Sequence, residues 1–316
     1  MIEKIVLPLL AVSCVVLSAC REVNVPEPKV VSVPEPLASA PPAYVLTDTE
    51  VRDITSGPLG RTYQVFVSLP RSYHEDLTHR FPVLFVTDAS YAFPLVRNIG
   101  RMVGDGGRGL EDFVLIGLSY AVGDTPKYSR QRDYTPTANG ENTVSDMPGR
   151  PVRHGEAEAY RRFIADEVFP FVAEHYRVDM RRKIFAGHSY GGLLGAHIVL
   201  TDPTMFERYI LSSPSLWYDN RVMLERERAY AASHTDMRAA VFLVIGGFET
   251  VKPSSPNKRY HRKNDMVRDL KTFEARLRSR RYPSLRIQST VVEDEDHLTV
   301  YPAAITRGLM WALPVE

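Results

Sequence analysis

The chain has 316 residues, with 39 lysines and arginines against 38 aspartates and glutamates and a formal net charge of +1. This balance excludes the strongly basic character on which nucleic-acid binding usually depends, so we expect no nucleic-acid partner. A hydrophobic fraction of 44% is typical of a globular protein, and the length allows one large core.

The N-terminal segment differs from the rest of the chain. Residues 5–17 form an almost uninterrupted apolar run of signal-peptide length. It ends in Leu-Ser-Ala-Cys at 17–20, which resembles a bacterial lipobox. We predict a lipoprotein signal peptide at 1–19 and lipidation of Cys20, with a plain secretory peptide as the alternative. Arg21 resembles the residue found in lipoproteins of the outer membrane, so we expect an anchor there, facing the periplasm.

The cysteine content and the proline content agree with the predicted envelope localisation. Cys14 and Cys20 are the only cysteines, so a mature lipoprotein has no disulfide. Residues 20–43 form a proline-rich linker. Proline favours an extended polyproline II chain, which rises about 3.1 Å per residue. A linker of this kind would hold a domain away from the membrane. From Tyr44 the composition becomes globular, and we predict one domain over 44–316.

The first predicted strands show two different patterns. Residues 61–70 alternate between apolar and polar side chains, as an antiparallel strand with one buried face does. Residues 82–87 and 113–118 are instead continuous apolar and β-branched runs. Such runs predict parallel strands that are buried on both faces.

The functional hypothesis depends on the pentapeptide Gly-His-Ser-Tyr-Gly at 187–191. It follows a short apolar run at 184–186 and precedes an apolar helical segment, which is the strand, turn and helix context of a nucleophile elbow. Such a turn exposes Ser189 Oγ at a helix N-terminus, where N–H groups favour developing negative charge. A glycine-rich turn without catalytic function is the alternative, so the hypothesis requires partners for the serine.

After the elbow, short apolar runs continue to alternate with longer helical stretches. This alternation of predicted strands and helices predicts an α/β protein with a mostly parallel sheet and helices on both faces. Ligands of such sheets bind beyond the carboxyl ends of the strands, where Ser189 would lie. The strands predicted in this half are 209–212, 239–245 and 285–292, and the helices are 221–233, 264–280 and 302–313.

A serine hydroxyl needs a base and a third group that orients the base. In α/β-hydrolases these groups follow in the order serine, acid, histidine. His297 follows the strand 285–292 and precedes the last helix, so we assign it as the base, with an ordinary surface histidine as the alternative. The eight other histidines, His188 and His261 among them, are interpreted as ordinary surface or core residues.

The acid is expected after the strand 239–245, where Glu249 ends the segment Gly-Gly-Phe-Glu. A solvated loop glutamate is the alternative at this position. Asp294 or Asp296, which are close to His297 in sequence, could orient the imidazole instead.

The oxyanion of an ester reaction needs two preorganised N–H donors. One is expected from the residue after the nucleophile, Tyr190. The other is expected from the loop after the strand 82–87, where we choose the N–H of Ser90.

Several further blocks are spread over most of residues 61–313. They are 82–88, Arg-Gln-Arg-Asp-Tyr-Thr-Pro at 130–136, the helix 163–171, Ser-Pro-Ser-Leu-Trp at 213–217, and Asp296-His297. With the elbow they resemble the esterase D family of α/β-hydrolases, which includes siderophore, feruloyl and acetylxylan esterases, S-formylglutathione hydrolases and mycolyltransferases. The blocks 130–136 and 213–217 are most similar to the branch of enterobactin and salmochelin esterases.

The resemblance implies an α/β-hydrolase fold and a substrate cleft lined by Arg130 and Trp217. A guanidinium can pair with catecholate oxygens, and an indole can stack on an aromatic acyl group. From the residues alone, a salt-bridged loop arginine and a core tryptophan are equally good interpretations. The basic segment 252–263 would favour an anionic ferric catecholate if it overhangs the cleft, and is otherwise a solvated loop.

These expectations combine into a serine ester hydrolase that acts through an acyl-enzyme, without a cofactor or a metal. A siderophore trilactone is the first expected substrate, and aromatic or acetyl esters on plant polysaccharide are the second. A binding lipoprotein on a hydrolase scaffold that has lost its chemistry is the non-enzymatic alternative. A peptidase ranks below these, because the chain has no added propeller or large cap domain.

Overall fold

A computed structural model describes residues 43–104 and 109–315 of the chain. The chain divides into two units, Met1–Val45 and Leu46–Glu316, and the elements below belong to the second unit. Its strands form one sheet in the order β1-β2-β4-β3-β5-β6-β7-β8. The strands are β1 (Thr49–Ser56), β2 (Arg61–Ser68), β3 (Phe81–Thr87), β4 (Val114–Ala121), β5 (Val178–His188), β6 (Arg208–Ser212), β7 (Ala239–Gly246) and β8 (Leu285–Val292).

The sheet is antiparallel at one edge and parallel elsewhere. β1 pairs with β2, and β2 with β4, in antiparallel register. The pairs from β4 through β3, β5, β6 and β7 to β8 are all parallel. The carboxyl ends of β3 and β5 to β8 therefore meet at one edge of the sheet, where the predicted site residues are expected.

Helices connect the strands and cover both faces of the sheet. A π-helical turn, Ile164–Val168, joins α3 to α4, and three residues in left-handed conformation, 219–221, occupy the start of α6. The regular part of α6 thus begins one residue after the predicted start of this helix at 221. The helices are α1 (Ala89–Gly104), α2 (Pro126–Asp133), α3 (Ala157–Phe163), α4 (Phe169–His175), α5 (Tyr190–Val199), α6 (Tyr218–Ser233), α7 (Met266–Ser279) and α8 (Val300–Ala312).

Two hydrophobic cores explain the continuous apolar strands. In β3, Leu84 and Val86 belong to the core shared with α1 and α8, whereas Val83 and Phe85 belong to the core shared with α3, α5, α6 and α7. Successive side chains of a strand point to opposite faces, so a strand covered on both faces must be apolar throughout. The predicted α/β architecture, mostly parallel with helices on both faces, is confirmed.

The predicted N-terminal features lie outside the described residues. This applies to the signal peptide at 1–19, to the lipidation of Cys20 and to nearly all of the linker at 20–43. Across 43–104 and 109–315, none of the helices combines the length and the apolar character needed to cross a bilayer.

Candidate active site

Strand β5 brings Ser189 to the carboxyl edge of the sheet, and α5 begins at the next residue. Ser189 has φ 58° and ψ −115°, a conformation that costs a residue with a side chain about 1–3 kcal/mol. The turn is tight, because a Cβ at Gly187 would lie 2.3 Å from the Gly191 carbonyl oxygen and one at Gly191 would lie 2.2 Å from Thr87 Oγ1. The predicted elbow is present, and close packing requires its two glycines.

Three side chains from separate loops form one chain of hydrogen bonds. His297 Nε2 lies 3.0 Å from Ser189 Oγ, and His297 Nδ1 lies 2.7 Å from Glu249 Oε2. An ionised carboxylate only accepts, so we place the imidazole proton on Nδ1 and the lone pair on Nε2, facing the serine hydroxyl. The predicted meeting of Ser189 and His297 is confirmed.

Glu249 is fully buried at the end of a short turn after β7. Its Oε1 accepts a hydrogen bond from the Gly246 N–H at 2.9 Å and another from Ser213 Oγ at 2.5 Å. Gly246 also allows the loop that carries His297 to approach, since a Cβ there would lie 2.4 Å from the Glu295 carbonyl oxygen. The two donors fix the carboxylate so that Oε2 faces the imidazole.

The two alternative acids have other contacts. Asp296 Oδ2 accepts a hydrogen bond from Arg259 Nε at 2.6 Å, and its Oδ1 accepts the backbone N–H groups of residues 298 and 299. Asp294 is exposed on the same loop. Of the three candidates, the structure therefore places Glu249 against the His297 ring.

His188, expected to be an ordinary residue, instead packs behind the base. Its ring lies 4.7 Å from the His297 ring between centroids, and its Nδ1 lies 3.1 Å from Ser212 Oγ. Burial holds the pKa of His188 well below the usual value, with the neighbouring His297 acting in the same direction. His188 therefore stays neutral and adds no positive charge beside the base.

The predicted oxyanion donors lie at the starts of two helices. Ser90 is in the first turn of α1, and Tyr190 is the first residue of α5. N–H groups in a first turn have no acceptor within the helix, and the helix dipole favours negative charge there. Ser90 and Tyr190 both line a cavity of ≈ 450 Å³.

Arg130 lines this cavity and is anchored by a buried carboxylate. Its Nε lies 2.7 Å from Asp88 Oδ1, which also accepts a hydrogen bond from Tyr120 Oη at 2.8 Å. The Arg130 guanidinium lies 5.7 Å from the centre of the Tyr190 ring, and 24% of its side chain is exposed. The structure therefore brings Arg130 to the cavity beside the nucleophile, where it forms an ion pair with Asp88.

Trp217 is half-buried and approaches the same tyrosine. The centres of the Trp217 and Tyr190 rings are 6.2 Å apart. Tyr218 Oη donates a hydrogen bond to the Thr137 carbonyl at 2.7 Å, which joins this turn to the loop after α2. Trp217 and Arg130 thus both lie near the Tyr190 ring, and of the two it is Arg130 that lines the cavity with Tyr190.

The basic segment 252–263 runs beside His297. Arg259 binds Asp296, and the His261 ring lies 5.8 Å from the His297 ring. Lys263 Nζ pairs with Glu141 Oε2 at 2.6 Å, which links the segment to the loop after α2. The segment therefore borders the active site, and His261, interpreted from the sequence as an ordinary surface or core residue, lies close to the base.

A carboxylate and two imidazoles meet next to the nucleophile. Glu249, His261 and His297 each offer one ligand atom within 4.8 Å of the other two, and this is a donor set that zinc accepts. In the described arrangement Glu249 and His297 are hydrogen-bonded to each other. A cation bound there would compete for the imidazole with one of its two hydrogen-bond partners, Ser189 or Glu249.

The fold and the site together define an α/β-hydrolase of the serine type, with glutamate as the third member of the hydrogen-bonded chain. The family model described as "Putative esterase" matches residues 56–299, and the chain belongs to this esterase family. The predicted family, fold and enzyme class are confirmed.

Named relatives cover most of the chain. It is 29% identical over 281 residues to the ferri-bacillibactin esterase BesA of Bacillus subtilis, across 86% of this chain and 91% of that protein. It is 31% identical over 219 residues to the siderophore enterobactin esterase of Emericella nidulans, across 63% and 71% of the two chains. The solved siderophore hydrolase EstA from Aspergillus nidulans has a TM-score of 0.66 at 25% identity, across 84% and 93%.

Proposed function

We propose that the chain hydrolyses carboxylic esters through an acyl-enzyme on Ser189. The observation that carries the proposal is the hydrogen-bonded chain from Ser189 through His297 to Glu249, with separations of 3.0 and 2.7 Å. A serine hydroxyl is a weak nucleophile at neutral pH, and this arrangement supplies both a base and the group that orients the base.

The geometry defines each step of the reaction. His297 Nε2 takes the Ser189 proton while Oγ bonds to the ester carbonyl carbon, and the charge that moves to the carbonyl oxygen faces the N–H groups of Ser90 and Tyr190. His297 then protonates the leaving alcohol as the ester C–O bond breaks. Water then gives a proton to Nε2 while its oxygen bonds to the acyl carbon. The bond from this carbon to Ser189 Oγ breaks as His297 returns the proton to Oγ, which releases the acid. Glu249 holds the Nδ1–H throughout, which stabilises the imidazolium.

Siderophore esters are the substrates that we propose. Three relatives are named as esterases of ferri-bacillibactin, of the siderophore enterobactin and of the siderophore triacetylfusarinine C. The cavity of this chain supports the assignment, because Arg130 offers a fixed cation beside Tyr190 and Trp217. A guanidinium next to aromatic rings suits catecholate oxygens attached to an aromatic acyl group.

A panel of esters tests this proposal with purified protein. We expect a tricatecholate trilactone, iron-free or ferric, to be hydrolysed with a kcat/KM at least about tenfold above that of feruloyl or acetyl sugar esters, a factor equal to about 1.4 kcal/mol. Chromatography of the products measures each rate. Faster turnover of the sugar esters would contradict the siderophore assignment and support the polysaccharide alternative. Cleavage of peptides without cleavage of esters would support a peptidase.

Arg130→Lys separates recognition from chemistry. The lysine keeps a positive charge beside the buried Asp88 but loses the planar guanidinium, so we expect kcat/KM for the trilactone to fall about tenfold and that for p-nitrophenyl acetate to change less than about twofold. Arg153→Lys is the matched control, because the Arg153 side chain is 62% exposed and its Glu156 contact is 3.8 Å long. Equal losses on both esters would remove Arg130 from substrate recognition.

We also propose that the protein is anchored in the bacterial envelope through lipidated Cys20. The apolar run, the Leu-Ser-Ala-Cys segment and the proline-rich linker support this placement. Fractionation of cells that express the full chain should find the protein with outer membranes, and Cys20→Ser should release it to a soluble fraction. Membrane association unchanged in Cys20→Ser would contradict the anchor.

A further inference from the structure

A second buried turn packs directly against the elbow. Residues 213–215, Ser-Pro-Ser, follow β6, and both serines are buried. The Ser213 N–H donates to the Val244 carbonyl at 2.7 Å, and the Ser215 N–H donates to the Ser189 carbonyl at 3.1 Å. A Cβ at Gly192 would lie 2.9 Å from Pro214 Cα. The turn is therefore fixed between β7 and the nucleophile.

Ser213 contacts the acid end of the hydrogen-bonded chain. Its Oγ donates to Glu249 Oε1 at 2.5 Å, and its backbone φ is 42°, a left-handed value that disfavours residues with a side chain. Glycine would adopt this conformation without strain but has no hydroxyl. The presence of a strained serine at this position is explained if its hydroxyl is needed to bind Glu249.

Ser215 contacts the nucleophile end of the same chain. Its Oγ lies 3.3 Å from Ser189 Oγ. The Ser189 hydroxyl has one proton, which faces the lone pair of His297 Nε2, so Ser189 can only accept from Ser215. The two hydrogen bonds therefore have the same direction: Ser215 donates to Ser189, and Ser189 donates to His297.

The geometry points to Ser215 as a further catalytic residue and to Ser213 as a positioning residue for Glu249, an inference that rests on the proposed function. As the Ser189 proton moves to His297, negative charge grows on Oγ, and the Ser215 O–H stabilises it by a hydrogen bond without giving up its own proton. The same donor faces Oγ when the acyl bond breaks in deacylation. Ser213 keeps Glu249 Oε1 occupied, so that Oε2 remains turned to the imidazole.

Ser215→Ala tests the catalytic part. We expect kcat for p-nitrophenyl acetate, and the rate at which diisopropyl fluorophosphate modifies Ser189 with release of fluoride, to fall about 10- to 100-fold with KM nearly unchanged, because a hydrogen bond to a developing charge is lost. Ser215→Cys replaces the hydroxyl by a somewhat larger thiol, which is only a weak S–H donor, and we expect a similar loss. The two rates can be measured in Ser215→Cys if Ser215→Ala does not fold. Undiminished rates in the folded variants would overturn the inference.

Ser56→Ala is the matched control for both serines. Ser56 is buried and donates to Glu167 Oε1 at 2.6 Å, a serine–carboxylate bond on β1 that the mechanism does not use. We expect this variant to keep the wild-type kcat and the wild-type rate of modification. An equal loss in Ser56→Ala would show that any buried serine has the same effect and would overturn the assignment.

Ser213→Gly separates positioning from structural support. Glycine relieves the strain of the positive φ but loses the hydrogen bond to the buried Glu249 carboxylate, so the two effects oppose each other and we expect thermal unfolding close to the wild-type temperature. We expect kcat to fall about tenfold, because Glu249 loses one of its two donors. A purely structural role predicts activity that follows stability, and unchanged kcat would overturn the inference. Wild-type protein that neither hydrolyses esters nor reacts at Ser189 would instead refute the proposed function itself.

Discussion

Replacement of Ser189 by alanine is expected to lower kcat for ester hydrolysis by about 10⁴- to 10⁶-fold, because no other atom at the elbow can form the acyl-enzyme. We expect this variant to lose catalysis without losing substrate binding. Arg130 and Trp217 contact Tyr190 rather than the serine hydroxyl, so the dissociation constant for the trilactone, measured by calorimetry, should change little.

Ser233→Ala provides the comparison for this variant, since Ser233 is exposed at the end of α6. We expect its kcat to equal that of the wild-type protein. Retention of more than about 1% of activity in purified Ser189→Ala, where a loss of at least 10⁴-fold is expected, would mean that Ser189 is not the nucleophile.

Glu249→Gln is expected to lower kcat by about 10⁴-fold with little change in structure. The Gly246 N–H and the Ser213 hydroxyl both donate to Oε1, so the amide oxygen should remain there and the NH₂ group should face His297. His297 Nδ1 must then accept, which moves the imidazole proton to Nε2. A protonated Nε2 cannot take the Ser189 proton, so the base is lost although every side chain remains in place.

The matched variants for this prediction are Asp294→Asn and Asp296→Asn. Asn at 296 keeps an oxygen for the backbone N–H groups of 298 and 299, and residue 294 is exposed. We expect both variants to keep kcat within a factor of about three, the size of an ordinary surface substitution. Equal losses in Asp296→Asn and Glu249→Gln, measured with one ester, would show that the acid is not assigned correctly.

Chain order predicted the nucleophile and the base because each follows a strand in the parallel part of the sheet. In a parallel sheet the carboxyl ends of the strands meet at one edge, so residues 108 positions apart, Ser189 and His297, can be assigned to one site. Sequence alone could not choose among Glu249, Asp294 and Asp296, since all three follow strands that end at this edge. The choice depends on the close approach of the His297 loop to Gly246, which depends on tertiary packing.

Contacts between distant polar residues were not predictable from residue patterns. Ser213 and Ser215 meet their partners at separations of 36 and 26 residues, and neither belongs to a periodic apolar segment. The Asp88–Arg130 pair and the approach of His261 to His297 likewise depend on how loops pack. The Ser-Pro-Ser-Leu-Trp block was the one available signal, and it indicated family resemblance rather than these roles.

The missed strand β1 has a different cause. Its sequence, Thr-Glu-Val-Arg-Asp-Ile-Thr-Ser, is largely polar, and several of its residues are exposed at the antiparallel edge of the sheet. An edge strand with little burial shows neither clear alternation nor an apolar run. The central strands were predicted because they are buried on both faces.

The most direct measurement of the central claim is mass spectrometry of peptides after reaction with diisopropyl fluorophosphate. The claim is that Ser189 is the nucleophile and His297 is its base. We predict one phosphoryl adduct per chain on the peptide that contains Ser189, loss of ester hydrolysis in proportion to labelling, and far slower labelling in His297→Ala. An adduct on another residue, or full activity in protein labelled at Ser189, would contradict it.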